Sequence, residues 1–297
     1  RHNTVDHVNY HMKAGFGKQS GGFGKKASSK HGQAASQMLK RAGGDIGSAH
    51  ALMFQQNIEK LKTTQPEAYK QIQEQMQATR NDPSATPTPE VHERLVEATW
   101  DTIASFLPVS SEHDDVLNVS VAGKMEKIAT ACLHDTNAKI LDVGCGDAAI
   151  LKFLKSVGGS EKQYTGIDLS GVMIEAAQSR FRKASFAKAN FLHWSPDTDP
   201  AYDTVLFNGS LQFFADAMAA LRAAASLLGP RGRIVIAHAH GAEFVRDERT
   251  NNPVTVAATM PSAEWLHDAA HALGLTVVPA EADLDLDAFY LVVLQRT

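Results

Sequence analysis

Lys139–Leu151 reads KILDVGCGDAAIL. An apolar, strand-like run carries Asp142 near its end. Gly144 and Gly146 follow two residues apart, and a helix-like run comes after them. Glycines at that spacing let the backbone turn sharply and approach a ligand closely. Read loosely, Gly144-x-Gly146-x-x-Ala149 is the dinucleotide fingerprint with alanine in the third place. The same residues also suit a tight strand-to-helix turn that holds nothing.

The acids discriminate between ligands. A pyrophosphate would seat at the N-terminus of the next helix, where free N–H groups favour anions. Asp147 is expected at that end with Asp142 beside it, and no Lys or Arg lies within the loop. Each carboxylate would repel a pyrophosphate by about 1 kcal/mol or more where screening is poor. A cation reverses the balance, and the sulfonium and ammonium of S-adenosylmethionine match Asp142. A second acid supports this. Tyr164–Ser170, YTGIDLS, is a strand ending in Asp168, 22 residues after Gly146. A carboxylate there can accept both hydroxyls of a ribose. Its plainer role would be to cap a helix starting at Gly171.

Outward from the loop, residues 138–297 alternate between strand and helix patterns. Strands are expected at 138–143, 162–168, 184–188, 202–207, 232–238, 274–280 and 288–296, and helices near 147–157, 171–182, 211–228 and 262–273. Such alternation implies βαβ units and a mostly parallel sheet. The last strand follows the sixth with no room for a helix, so it should run antiparallel.

The chain has 297 residues, 43% hydrophobic and 21% charged, with a net charge of −4. No run of about 18 apolar residues exists, so no membrane span is expected. Charge is uneven: residues 1–50 hold eight Lys/Arg against two acids, leaving −10 for the rest. Nine of the 21 glycines also lie there, and GFGK occurs at Gly15 and Gly22. With little apolar surface to offset ordering entropy, residues 1–45 are expected to be mobile. A basic, acid-poor start containing serine suits a transit peptide to a mitochondrion or plastid, a solvated cytoplasmic tail, or a segment touching RNA or protein. Two cysteines, Cys132 and Cys145, give no disulfide framework. Asn118 and Asn208 begin short glycosylation-like tripeptides with nothing else pointing to secretion.

Gly47–Arg80 reads as one helix, Asn81–Glu90 as a linker, Pro89–Leu107 as a second helix and Asp114–Leu133 as a third. The domain organisation expected is a basic tail with a helical extension over 1–90 and an α/β domain over 91–297.

LDVGCGDAAIL and GIDLSGVMIEAA together resemble the first two motifs of the class I S-adenosylmethionine-dependent methyltransferases, over about residues 95–297. Ala148 stands at the family's third glycine. The resemblance implies a seven-stranded sheet of order 3-2-1-4-5-7-6 with helices on both faces. It implies that Asp142, Gly144, Cys145 and Gly146 line the cosubstrate, that Asp168 and Leu169 meet the ribose, and that Met173 packs near the adenine. FAKANFLHW resembles the third motif, with Asn190 accepting from the adenine amino group and the Phe191 amide reaching the ring. YDTVLFNGSLQFF resembles the fourth, with Asn208 and Gly209 beside the methionine part. LLGPRGRIVIAHAHG resembles the fifth strand with its preceding turn.

Methyl transfer from a sulfonium asks the protein mainly to align two reactants and exclude water. The acceptor side is expected from Ser210–Phe214, from a compact loop over His238–Pro261, and from Trp100–His113. His238 and His240 are the candidate bases; as alternating strand residues they should point opposite ways. No third ligand accompanies them for a metal. Phe213 and Phe214 suit core or pocket wall, and Arg246 and Arg249 an acidic substrate or a solvated loop. No Asn-Pro-Pro-Tyr-like run occurs, which argues against adenine or glutamine amino-group methylation. The two cysteines do not stand where RNA pyrimidine methyltransferases keep catalytic thiols. The expected enzyme methylates a small molecule. A non-catalytic or RNA- or protein-directed subunit of an organellar assembly and an NAD(P)-dependent oxidoreductase are the alternatives.

Overall fold

The structure, a computed structural model, describes residues 30–44, 46–82, 85–106, 119–196, 201–278 and 284–296. Both GFGK copies, Asn118 and most of the basic start lie outside them. The chain divides into two compact units, one of residues 1–117 with 250–255 and the other of 118–249 with 256–297.

The first unit contains helices α1 (Lys30–Arg41), α2 (Ile46–Thr64), α3 (Pro66–Asn81) and α4 (Pro89–Phe106). The α1 helix forms inside the stretch expected to be mobile, because Met38 is buried against Ala49 and Met53. The run expected as a single helix breaks at Gln65. Pro66 has no amide hydrogen, which fits the first turn of α3 but not the middle of a longer helix. Val91, Leu95 and Ala98 of α4 pack with Ile58 and Ile72, so α4 belongs with this unit. Among the described residues, no helix is long and apolar enough to cross a membrane.

The second unit opens with α5 (Val119–Cys132). It continues β1 (Ile140–Val143), α6 (Ile150–Ser156), β2 (Tyr164–Asp168), α7 (Gly171–Arg180), β3 (Ser185–Lys188) and β4 (Tyr202–Asn208). Then come α8 (Ala217–Ser226), β5 (Leu228–His238), α9 (Gly241–Asn251), α10 (Ala263–Ala272), β6 (Leu275–Val278) and β7 (Tyr290–Arg296). The seven strands form one sheet of order β3-β2-β1-β4-β5-β7-β6, the order the resemblance implied. Only β7 runs against its neighbours, β5 and β6.

Side chains alternate across the sheet. Leu141, Val143, Val205, Phe207, Ile234 and Ile236 share one buried cluster. Ile140, Leu206, Val235 and Ala237 share the other. With both faces covered, every residue of β1 is buried, as a central parallel strand requires.

Two departures matter for the site. The helix expected from 211 starts at Ala217, because the Asp216 carboxylate caps it by accepting from the Ala219 amide at 2.9 Å. Leu211–Phe213 before it is a short 3₁₀ turn. The compact loop expected over His238–Pro261 contains α9. Gly241 turns the chain into that helix at φ +80°, and the Ala242 amide donates to the Leu286 carbonyl at 2.9 Å. Arg246, considered for an acidic substrate, pairs with Asp287 at 2.9 Å.

A Cβ at position 241 would lie 2.0 Å from the Asp287 carbonyl oxygen. Gly241→Ala combines this overlap with a left-handed backbone and should cost about 3 kcal/mol or more. Urea denaturation checks it: the midpoint should fall sharply, while Arg246→Ala, at an exposed pair, should leave it nearly in place.

Candidate functional site

The loop after β1 is built from left-handed residues. Gly144 has φ +71° and Gly146 φ +53°. Ala148 adopts φ +59° although it carries a Cβ. That conformation costs a residue with a side chain roughly 1–2 kcal/mol, and such strain concentrates at functional loops. A Cβ on Gly144 would come 2.6 Å from the Ser210 Cβ, so glycine also permits the approach of the β4 loop. The Ser210 hydroxyl donates to the Val143 carbonyl and fastens the two loops together.

Asp168 holds the turn from the side of β2. Its Oδ2 accepts from the Gly146 amide at 2.9 Å, and its Oδ1 accepts from the Ser170 amide at 2.8 Å. The capping role falls to Ser170, whose hydroxyl accepts from the Met173 amide at 3.1 Å. A carboxylate offers about four lone-pair sites. Asp168 is half-buried at the strand end.

The other two acids are not where the sequence put them. The α6 helix begins at Ile150, so Asp147 lies in the turn ahead of it. Arg180, from the end of α7, pairs with its carboxylate. A cation thus reaches the loop from outside it, and Asp147 repels an anion less than expected. Asp142 is 2% exposed and lies beneath the loop. Its Oδ2 accepts from the Tyr164 hydroxyl at 2.6 Å. Its buried Oδ1 has no hydrogen-bond partner among the described residues. Burial, helped by the nearby Asp168 charge and opposed by the Tyr164 hydrogen bond, pushes its pKa up to about 7.

Cys145 turns its side chain down onto β2, where a Cβ on Gly166 would lie 2.7 Å from its Sγ. Burial raises the thiol pKa of both cysteines, so neither is a ready nucleophile. The Met173 Sδ lies 3.9 Å from where a Cβ of Gly146 would stand, so Met173 does back the loop. Leu169 is half-buried between Asp168 and the cap.

At the end of β3, Asn190 is half-buried. Its Oδ1 accepts from the Leu192 amide at 2.9 Å, which fixes the amide's orientation. The buried Nδ2 then has no acceptor among the described residues. Asn190 therefore presents an unused donor, where the sequence reading assigned it an acceptor. The Phe191 ring is core: it packs edge-on against Phe207 at 5.8 Å and Phe214 at 6.2 Å. Phe213 and Phe214 are both half-buried against the same core.

At the end of β4, Asn208 directs its Nδ2 toward the Met125 Sδ at 3.8 Å, and Gly209 takes φ +69°. His238 and His240 do not diverge. The strand stops at His238 and the chain turns, so alternation no longer applies. Both rings lie against Phe244, at 5.2 and 5.0 Å. The His238 Nδ1 accepts from the His240 amide at 3.3 Å. Among the described residues, no group of three or more His, Cys, Asp or Glu side chains could hold a metal ion.

Sequence reasoning passed over Tyr164, Ser170 and Arg180. Ser170 was legible as a serine directly before a helix. Tyr164 and Arg180 act through partners brought close only by the fold.

The fold and loop define a nucleotide-binding α/β domain of the methyltransferase type. Residues 141–234 match the model of a methyltransferase domain family. Over that stretch, about a third of the chain, the sequence is similar to methyltransferase domains. The chain is 31% identical over 97 residues to an Escherichia coli trans-aconitate 2-methyltransferase, a match covering 33% of this chain and 37% of that protein. It therefore spans little more than a third of that relative's length. A chain of the Haloferax volcanii complex of the Trm112 methyltransferase activator superposes with TM-score 0.53 at 19% identity, over 66% of this chain and 96% of that one. The N-methyltransferase NodS of Bradyrhizobium japonicum, in complex with S-adenosylhomocysteine, gives 0.51 at 16% identity, over 68% and 98%. Both structural likenesses concern the fold.

The raised pKa of Asp142 fixes the sign of a pH effect. Its stabilising contribution is complete below about pH 3.8 and is lost as pH rises through about 7. Wild type should lose stability relative to Asp142→Asn between pH 4 and 8, by on the order of a few kcal/mol. Urea denaturation of both proteins across that range measures the gap, and a constant gap would contradict the assignment.

Proposed function

We propose that this chain is an active S-adenosylmethionine-dependent methyltransferase acting on a small-molecule acceptor. The observation that carries the reading is the polar complement of the strand ends. The buried Asn190 Nδ2 is an unused donor and the buried Asp142 Oδ1 an unused acceptor. Asp168 ends the strand between theirs, where a carboxylate can accept ribose hydroxyls. An adenosyl cation fits that order: ring nitrogens that accept, ribose hydroxyls that donate, and positive charge toward β1. A dinucleotide fits less well, since its pyrophosphate would lie near the Asp168 carboxylate with Arg180 already paired to Asp147.

Bound S-adenosylmethionine would supply a methyl group on a sulfonium, a good leaving group. The residues of this chain then have three tasks. Gly144 and Gly146 allow close backbone approach, Asp168 holds the ribose hydroxyls, and Asn190 donates to the purine edge. His238, at the end of β5, stacks on Phe244 of α9 at 5.2 Å, and we place the methyl acceptor beside this pair. The small-molecule reading is supported by α9, which closes the chain back over the end of β5, and by the similarity to the Escherichia coli trans-aconitate 2-methyltransferase.

Titration calorimetry tests the cosubstrate. S-adenosylhomocysteine should bind wild type. Asp168→Ala should weaken it at least about tenfold and Asn190→Leu roughly fivefold, in line with a charged and a neutral hydrogen bond. NADH binding without S-adenosylhomocysteine binding would overturn the proposal.

A further inference from the structure

Gln212 lies in the 3₁₀ turn after β4 and is 2% exposed. Its Nε2 donates to the Gly209 carbonyl at 3.0 Å, which fixes which end of the amide is the oxygen. The Oε1 is buried and has no hydrogen-bond partner among the described residues. Leaving a buried acceptor unused is costly, and such groups are normally satisfied by protein, water or ligand.

Its surroundings are those of the site. Gly209, to which it is tied, lies against His238: a Cβ there would stand 3.6 Å from that ring's Cδ2. Ser210, in the same turn, packs on Gly144 of the glycine loop. The Gln212 main-chain carbonyl accepts from the Ala258 amide at 3.0 Å, joining this turn to the segment that follows α9. Gln212 therefore stands where the glycine loop, the end of β5 and that segment converge. Ligands of open parallel sheets lie at this carboxyl edge.

We infer that Gln212 is a specificity-determining residue whose Oε1 accepts a hydrogen bond from an N–H or O–H group of a bound ligand. This rests on the methyltransferase reading above. Two sources offer that chemistry: the α-ammonium of the cosubstrate and a hydroxyl or amine of the methyl acceptor. An ionised carboxylate or bare carbonyl offers no donor and does not satisfy Oε1.

The test compares wild type, Gln212→Met and Gln212→Glu. Methionine keeps the length and removes both polar atoms. Glutamate keeps an acceptor but loses the donation to Gly209, so it reports that tether separately. Calorimetry with S-adenosylhomocysteine and with 5′-methylthioadenosine, which lacks the amino-acid end, covers the first source. Transfer from methyl-labelled S-adenosylmethionine to the small-molecule fraction of a cell extract covers the second. If the ammonium is the partner, Gln212→Met weakens S-adenosylhomocysteine at least about tenfold, leaves methylthioadenosine unchanged, and Gln212→Glu retains binding. If the acceptor is the partner, both nucleosides bind normally and labelling falls at least about tenfold in Gln212→Met. Binding and labelling within twofold of wild type in both variants would overturn the assignment alone. Wild type that binds neither nucleoside would overturn the methyltransferase reading, and this inference with it.

Discussion

The Asp168 carboxylate accepts from the Gly146 amide and the Ser170 amide, and the geometry of the sheet's carboxyl edge follows from those two bonds. One of them pins the glycine loop of β1 to the end of β2. The other leads into the cap of α7. The loop holds three left-handed residues, one of them Ala148, and would not keep that shape without such ties. Ser210 adds the opposite anchor, from the β4 side. A ligand arriving at this edge meets a loop already in place, so little ordering remains to be done on binding.

A second feature of the edge is its buried polar atoms. Buried polar atoms are nearly always hydrogen-bonded. Asp142 Oδ1, Asn190 Nδ2 and Gln212 Oε1, at or beside the ends of β1, β3 and β4, have no partner among the described residues. Each unmet group costs about 1–3 kcal/mol. Asp142 adds a buried carboxyl whose charged form burial disfavours. A cation placed near it would reverse that preference, because an opposite charge at short range favours ionisation. Asp147 is paired with Arg180, and the acid that counts is covered by the loop.

Much of the sheet was legible in advance because strand and helix leave strong local traces. Apolar runs of four to seven residues set the strand positions of β1, β2, β4 and β7 to within two residues. The helix boundaries were less legible where one residue decides. Pro66 divides a helix whose periodicity runs on across it, and Asp216 delays α8 past a turn with helical composition. The α9 helix hid in a polar stretch because its buried residues, Phe244, Val245 and Glu248, are few and mixed in kind.

The sequence by itself determined the sheet, the glycine loop and the place of Asp168, since each depends on residue types at short, fixed spacings. Only the tertiary structure decided the state of the polar groups. Tyr164 meets Asp142 because β1 and β2 pair in one register, and Arg180 meets Asp147 because α7 ends beside the loop. Both histidines meet Phe244 because the chain turns at Gly241. Those contacts join residues far apart in the chain or turned together by a bend. A carboxyl's charge and an imidazole's tautomer follow from such neighbours, not from the residue's own identity.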